Sequence, residues 1–173
     1  AAFDLLTDEI VTQLTSAFQV IGGRATRDPL FYAQHLLALA AACARGGRAK
    51  ESREYLVHAA RQAALAGSRA LEGAALHALA TSQEAANEVT EATQTAGQAA
   101  EAFDAAGQLL GWATAAELHA RMLMRQGEAE PAADVLGRVV EAYQDLGQTA
   151  AADRVARMRS SATARGAPAR AAR

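Results

Sequence analysis

Apolar and polar positions recur along most of the chain at the three- and four-residue spacing of amphipathic helices. The first run carries acidic residues in its early turns and ends at Gly22 and Gly23. Its apolar side is formed by Phe3, Leu6, Ile10, Leu14, Ala17, Phe18 and Ile21. This pattern predicts an amphipathic helix in residues 1–23 that packs on the rest of the protein.

Asp28 and Pro29 form a second start signal, because a capping acid precedes a proline at the first helical position. From there the pattern predicts consecutive helices with short linkers, so that neighbours are antiparallel. The predicted helices cover residues 29–45, 48–66, 69–86, 88–106, 109–126, 128–146 and 149 to about 161.

Glycine and asparagine residues divide this pattern at a fixed interval. Two sets with the same spacing of 40 residues are Gly67, Gly107 and Gly147, and Gly47, Asn87 and Gly127. Glycine and asparagine adopt the left-handed conformation most easily, so each position is predicted to end a helix. Such a period favours a stacked array of equivalent helix pairs over a compact bundle.

The composition agrees with an all-helical chain. Apolar residues make up 51% of the sequence and aromatic residues only 5%, so alanine and leucine provide most of the burial. We therefore expect an all-α protein of about eight helices. Its parts are an opening helix in residues 1–23, three and a half helix pairs in residues 28–161 and a disordered, arginine-containing tail in residues 162–173.

Small residues occupy matching positions where the two helices of each pair are expected to cross. They are Ala40, Ala80 and Ala120 in the first helices, and Ser52, Ala92 and Ala132 in the second helices. With this pattern, residues 28–161 resemble the tetratricopeptide repeat (TPR) family. The repeat is 40 residues long rather than the typical length of about 34, and is similar to variants in bacterial regulators and signalling proteins. The resemblance implies a short right-handed α-solenoid.

In that family the first helix of each pair lines a concave, peptide-binding groove, and the resemblance implies which residues lie there. They are Gln34, Leu37, Ala41, Arg45, Ala74, His77, Thr81, Glu84, Thr114, Glu117, Arg121, Met124, Arg154 and Arg157. The arginines towards the C-terminal end are expected to pair with carboxylates of a partner. The implied function is a non-enzymatic scaffold that binds a protein or peptide segment, as the sensory or assembly domain of a bacterial, actinobacterial-type regulator.

The residues give no sign of catalysis, a cofactor or a metal. The four histidines are scattered, no nucleophile has a base at a suitable spacing, and His77 and His119 are the one pair that could meet across neighbouring helices. Cys43 lies on an apolar stripe, where burial would leave it inert. Trp112 is either a contact anchor or a core residue, and the same alternatives apply to Met122, Leu123 and Met124.

Charge and apolar content argue against nucleic acid and membranes as partners. The net charge is −2, and the last ten residues carry three arginines and no acid, which leaves an acidic body that does not attract nucleic acid. No apolar run is long enough to span a membrane, and a lone cysteine fits a reducing, cytoplasmic location. Because the sequence starts without Met, we expect a segment of a longer protein.

Two alternatives to a peptide-binding scaffold remain open. One is self-association into a homodimer through apolar edges of the opening helix and the unfinished fourth repeat. The other is a small-molecule-binding helical domain with a cavity ringed by His77, Glu117 and His119.

Overall fold

A computed structural model of the protein describes residues 28–166 together with Thr12 and Ser16. Seven helices and no strand occur in this part of the chain. They are α1 (Pro29–Arg45), α2 (Ala49–Leu65), α3 (Arg69–Ala85), α4 (Val89–Ala105), α5 (Leu109–Gln126), α6 (Ala129–Asp145) and α7 (Thr149–Gly166). The predicted opening helix in residues 1–23 lies outside the described residues, apart from Thr12 and Ser16.

The last helix is longer than the sequence pattern predicts. It continues to Gly166 instead of ending at about Ser161. Ala162 is completely buried in the core of the last repeat, so apolar packing extends past the predicted end. Residues 162–166 are therefore helical rather than part of a disordered tail, and residues 167–173 lie outside the described residues.

Apart from the end of α7, the described helices start and end at the predicted signals. The carboxylate of Asp28 accepts hydrogen bonds from the backbone N–H groups of Leu30 and Phe31, and Pro29 occupies the first helical position. The six predicted helix-ending positions between Gly47 and Gly147 are all left-handed, with a φ angle between 64° at Asn87 and 86° at Gly127, whereas Gly22 and Gly23 lie outside the described residues. After Asn87, for example, the N–H of Glu88 donates to the carbonyl of Gln83 at 2.9 Å, which closes the end of α3.

The helices form two layers. Each helix packs on the helices that precede and follow it, and α3 also contacts α1 and α5. We call the surface formed by α1, α3, α5 and α7 the odd-helix face and the surface formed by α2, α4 and α6 the even-helix face. Because contacts join only nearby helices, each junction between repeats can have its own surface.

The core of the protein lies where the two helices of each pair cross. All the small residues predicted there are buried: Ala40, Ala80, Ala120, Ser52, Ala92 and Ala132. The hydroxyl of Ser52 donates to the carbonyl of Ala40 at 2.8 Å, so even this polar group is satisfied at the crossing of α1 and α2. Small side chains let the helices approach closely, and leucines such as Leu39 and Leu136 fill the remaining space.

Candidate functional site

The residues predicted to line a groove all belong to odd-numbered helices, and most of them are exposed or partly exposed on the odd-helix face. Glu117 is the exception, with only 6% of its surface exposed. Several of these side chains interact with one another across neighbouring helices, which the sequence did not predict.

An ion pair joins α3 to α5. A guanidinium nitrogen of Arg121 donates to the carboxylate of Glu84 at 2.9 Å. His77 lies beside this pair, and its pKa is lowered by burial and by the charge of Arg121, against the opposing effect of Glu84. His77 is therefore neutral at pH 7. One turn further, Arg125 of α5 donates a hydrogen bond to the side-chain oxygen of Asn87.

A second ion pair joins α5 to α7. Arg154 donates two hydrogen bonds to the carboxylate of Glu117, and the hydroxyl of Tyr143 donates a third at 3.1 Å. Burial raises the pKa of Glu117, but Arg154, Tyr143 and Arg121 together outweigh it, so the pKa lies below its ordinary value. The pKa of Tyr143 is raised to about 12, first by burial and then by the charge of Glu117.

These pairs change which groove arginines are available to a partner. Arg121 and Arg154, which the sequence suggested as receptors for carboxylates of a partner, already contact Glu84 and Glu117. Within the described part of the chain, the side chains of Arg45 and Arg157 are exposed and make neither a hydrogen bond nor an ion pair.

An open cleft lies between α1 and α3, above α2, and has a volume of about 410 Å³. We call it the α1–α3 cleft. Its wall includes Leu37, Ala41 and Thr81, three of the predicted groove residues, and Ser52 and Leu56 of α2 also line it. The remaining lining residues are small alanines and a serine: Ala40, Ala44, Ala49, Ala78, Ser82 and Ala85. The cleft is therefore mostly apolar.

The repeat register explains why the cleft is open at this junction. The equivalents of Glu84 and Arg121 one repeat earlier are Ala44 and Thr81, which are too short to meet across the gap. Other lining residues of the cleft are replaced by larger ones in the next repeat; for example, the position of Ala78 is occupied there by the buried Leu118. The odd-helix face thus changes from small and apolar between α1 and α3 to charged between α5 and α7.

Other predicted groove residues have local roles. The hydroxyl of Thr81 donates to the carbonyl of His77 at 2.9 Å, and the hydroxyl of Thr114 donates to the carbonyl of Gly111 at 2.9 Å. Met124 is partly buried against the core of the last repeat. Gln34 is exposed on α1.

The histidines and the cysteine form no reactive group. His119 shares a hydrogen bond of 2.9 Å with the carbonyl of Thr93, on a different side of α5 from Glu117. Because His119 lies on a different side of α5 from Glu117, the three side chains His77, Glu117 and His119 do not ring one cavity. Burial raises the pKa of the Cys43 thiol, as predicted. Within residues 28–166, no three His, Cys, Asp or Glu side chains are placed to hold a metal ion.

The large residues whose role was left open belong mainly to the core. Trp112 is partly buried against two core clusters, and the guanidinium of Arg138 lies 4.9 Å from its ring centroid. Met122 and Leu123 are buried. Trp112 is therefore a packing residue covered by Arg138, not a free contact anchor.

The sequence interpretation missed the alanines of the α1–α3 cleft and the internal ion pairs. Both features could have been inferred from the alignment of the repeats. Glu84 and Arg121 are separated by the same 37 residues as Glu117 and Arg154. Ala44 and Ala85 are small at positions that are charged in the following repeat, where Glu84 and Arg125 stand.

No family model matches this chain, nor does any curated protein. Solved structures are similar to it. A kinesin light chain-like protein of Podosopora anserina with nearly identical TPR-like repeats is 18% identical, with a TM-score of 0.62 over 93% of this chain and 89% of that chain. BtubC (BKLC) from P. vanneervenii is 14% identical, with a TM-score of 0.63 over 91% of this chain and 74% of that chain. At these identities the likeness concerns the fold alone, which is a TPR-like helical repeat.

A membrane span is not found among the described helices, since none of them is both long and apolar enough to cross a bilayer.

Proposed function

We propose that the protein is a non-enzymatic scaffold that binds a peptide or protein segment on its odd-helix face. The observation that carries this proposal is the α1–α3 cleft, an open apolar recess of about 410 Å³ among the residues expected to line the groove. This volume lies within the range of about 300–1,000 Å³ that is usual for ligand pockets. Solved structures of the same fold support an interaction scaffold, and the absence of a catalytic group in the sequence agrees with it.

The chemistry of the cleft indicates the part of the partner that binds there. Alanines and Leu37 line the walls and Leu56 lies at the base, so the cleft suits one bulky aliphatic or aromatic side chain. Arg45 directly follows the cleft residue Ala44 and has no partner in the described region, so it is available to a carboxylate next to that side chain. We place the protein in the cytoplasm, as part of a bacterial regulator, on the sequence resemblance and its single thiol.

The repeat register provides a direct test. Ala44→Glu combined with Thr81→Arg introduces at the first junction the ion pair that Glu84 and Arg121 make at the second. This double variant leaves the net charge unchanged and should close the cleft without unfolding the chain. The matched control, Glu84→Ala with Arg121→Thr, removes the pair from the second junction and leaves the α1–α3 cleft intact.

The assay selects linear peptides from a displayed random library on the full chain and measures their affinities for both variants. We expect the closed-cleft variant to weaken the enriched peptides that are apolar rather than acid-rich at least about tenfold, as loss of a central anchor does. The control should stay within about twofold, since surface substitutions away from a contact change little. Equal affinity of these apolar peptides for the wild type and the closed-cleft variant would exclude the cleft as the binding site.

Two other functions compete with this proposal. A small apolar ligand also fits the volume of the cleft, and its binding would be lost in the same closed-cleft variant without any peptide being enriched. Self-association is favoured by the exposed leucines near the α2–α3, α4–α5 and α6–α7 turns: Leu65, Leu109, Leu110 and Leu146. Light scattering that gives a strict monomer at high concentration would reject self-association.

A further inference from the structure

The even-helix face carries a furrow that the proposed function does not use. It lies above α3 and consists of two adjoining cavities that share Arg61: one of about 390 Å³ between α2 and α4, and one of about 650 Å³ lined by α2 and α3. Leu76 lines the first cavity, and Leu79 and Gln83 line the second. These residues lie on a different side of α3 from those of the α1–α3 cleft. We call this surface the α2–α4 furrow.

The corresponding furrow one repeat later is filled by the protein itself. Trp112 and His119 of α5 stand where α3 has Glu72 and Leu79. Trp112 is covered by Arg138, and the ring of His119 lies 3.3 Å from the position of a Cβ atom on Gly97, at the wall formed by α4. No residue of 28–166 fills the furrow above α3 in this way, so within the described residues it is open to a partner.

The wall formed by α2 is basic although the body of the protein is acidic. Lys50, Arg53, His58 and Arg61 all line the second cavity, with Glu54 as the one acid of α2 among its lining residues. The equivalent residues of α4 are Thr90, Thr93, Gln98 and Glu101, so this basic stripe is particular to α2. Arg53 pairs with Glu88 at 2.7 Å, whereas Lys50 and Arg61 have no ion-pair partner in residues 28–166.

Apolar and hydrogen-bonding groups accompany the positive charge. Val57 is 36% exposed and Leu79 lies beneath it in the same cavity. Beside them, Gln83 Oε1 and Arg53 Nε are buried and lack hydrogen-bond partners within the described residues. A polar group of a partner that enters this end of the furrow could form a hydrogen bond with Gln83 Oε1 or Arg53 Nε after a small side-chain shift. This hydrogen bond would favour binding of the partner.

We propose that the α2–α4 furrow binds an acidic segment of another protein that also carries aliphatic side chains. Carboxylates of the segment pair with Lys50 and Arg61, and an aliphatic side chain packs on Val57 and Leu79. A nucleic acid fits less well, because it carries a phosphate at every nucleotide and would meet Glu54, Glu72 and Glu101 along the furrow, whereas the carboxylates of a peptide can be confined to the positions that face Lys50 and Arg61. The proposal is independent of the odd-helix face and adds a second docking surface to the scaffold.

The test uses acid-rich peptides enriched from the same displayed library on the full chain. Lys50→Glu with Arg61→Glu reverses the two unpaired charges of the furrow, and Val57→Ser removes the exposed apolar contact. The control is Arg159→Glu with Arg165→Glu, which makes the same charge change on exposed positions of α7 that line neither the furrow nor the α1–α3 cleft.

We expect the furrow double variant to weaken acid-rich peptides by about tenfold or more, with a salt-dependent affinity for the wild type. Val57→Ser should weaken them about threefold to tenfold, and the control should change their affinity less than about twofold. The closed-cleft variant, Ala44→Glu with Thr81→Arg, should leave these peptides bound. The experiment can thus refute peptide binding in the furrow independently of peptide binding in the α1–α3 cleft.

Four results would overturn the proposal. The first is that no acid-rich peptide is enriched, or that enriched ones bind the furrow double variant normally. The second is that an oligonucleotide competes for the furrow. The third is that a synthetic peptide of residues 1–23, which contains Asp4, Asp8 and Glu9 and no basic residue, competes, because the chain would then supply its own occupant. The fourth is a dimer that the furrow double variant dissociates, because the occupant would then be a second copy.

Discussion

At the scale of single residues, Glu117 is the one charged side chain that is buried among residues 28–166. It is buried and accepts hydrogen bonds from Arg154 and Tyr143, whereas Glu84 and Arg121 are both partly exposed. Exposed ion pairs contribute little to stability, while a buried carboxylate depends on every hydrogen bond that it accepts. We therefore expect Glu117 to contribute more to stability than Glu84 does.

Substitution of Glu117 should have a pH-dependent effect. The pKa of Glu117 in the folded protein lies below its unfolded value of about 4.3, so its contribution to stability is present above that value and is lost as the pH falls through the folded pKa. Glu117→Gln should lower the free energy of unfolding by about 1–2 kcal/mol at pH 7. The difference in the free energy of unfolding between this variant and the wild type should become smaller as the pH falls below about 4.3.

Urea unfolding at a series of pH values measures this effect. Glu91→Gln, at an exposed position of α4, is the matched control and should change stability little at any pH. A Glu117→Gln effect that stayed constant down to pH 3 would contradict the assigned role of the ionised carboxylate.

Two glycines of helix interiors differ in the space around them. A Cβ atom at Gly111 would lie 2.5 Å from the ring of Phe103, whereas at Gly137 it would lie 3.3 Å from the flexible end of Arg159. Gly111→Ala should therefore lower the free energy of unfolding by about 1–2 kcal/mol, through overpacking against a buried ring. Gly137→Ala should raise it by up to about 1 kcal/mol through helix propensity. Urea unfolding that gave both variants the same stability would show that Phe103 moves freely.

At the scale of helices, the sequence predicts the ends of α2 to α6 to within one residue. This is possible because each end depends on one local property, the left-handed conformation that glycine and asparagine adopt easily. The end of α7 was predicted wrongly because it depends on the burial of Ala162 by other parts of the chain. Local signals therefore define helix ends only where no tertiary contact extends the helix.

The turn between α4 and α5 provides a test at this scale. Gly107 has a φ angle of 65°, and nothing lies within 4 Å of the position of an added Cβ atom, so the cost of a side chain there is conformational. We expect Gly107→Ala to lower the free energy of unfolding by about 1–2 kcal/mol. Gly107→Asn should lower it by less, because Asn87 already adopts this conformation in the same array. Equal losses in a urea titration would contradict this explanation.

At the scale of the whole molecule, similar repeats enclose different surfaces. The repeat pattern was sufficient to predict a TPR-like array and the buried positions at the helix crossings, because these recur in every repeat. It was not sufficient to predict which junction is open. The α1–α3 cleft depends on pairs such as Ala44 and Thr81, whose separation in space follows only from the packed helices. Function on this fold therefore depends on the residues that break the repeat.

Amide chemical-shift mapping tests the central claim most directly. The full chain, labelled with ¹⁵N, is titrated with one of the apolar peptides enriched on the wild type. We predict that the largest shifts occur on α1 and α3, at Leu37, Ala41, Ala78 and Thr81, and that the surface between α5 and α7 changes little. Shifts centred on α5 and α7, or spread evenly over all the helices, would contradict a binding site in the α1–α3 cleft.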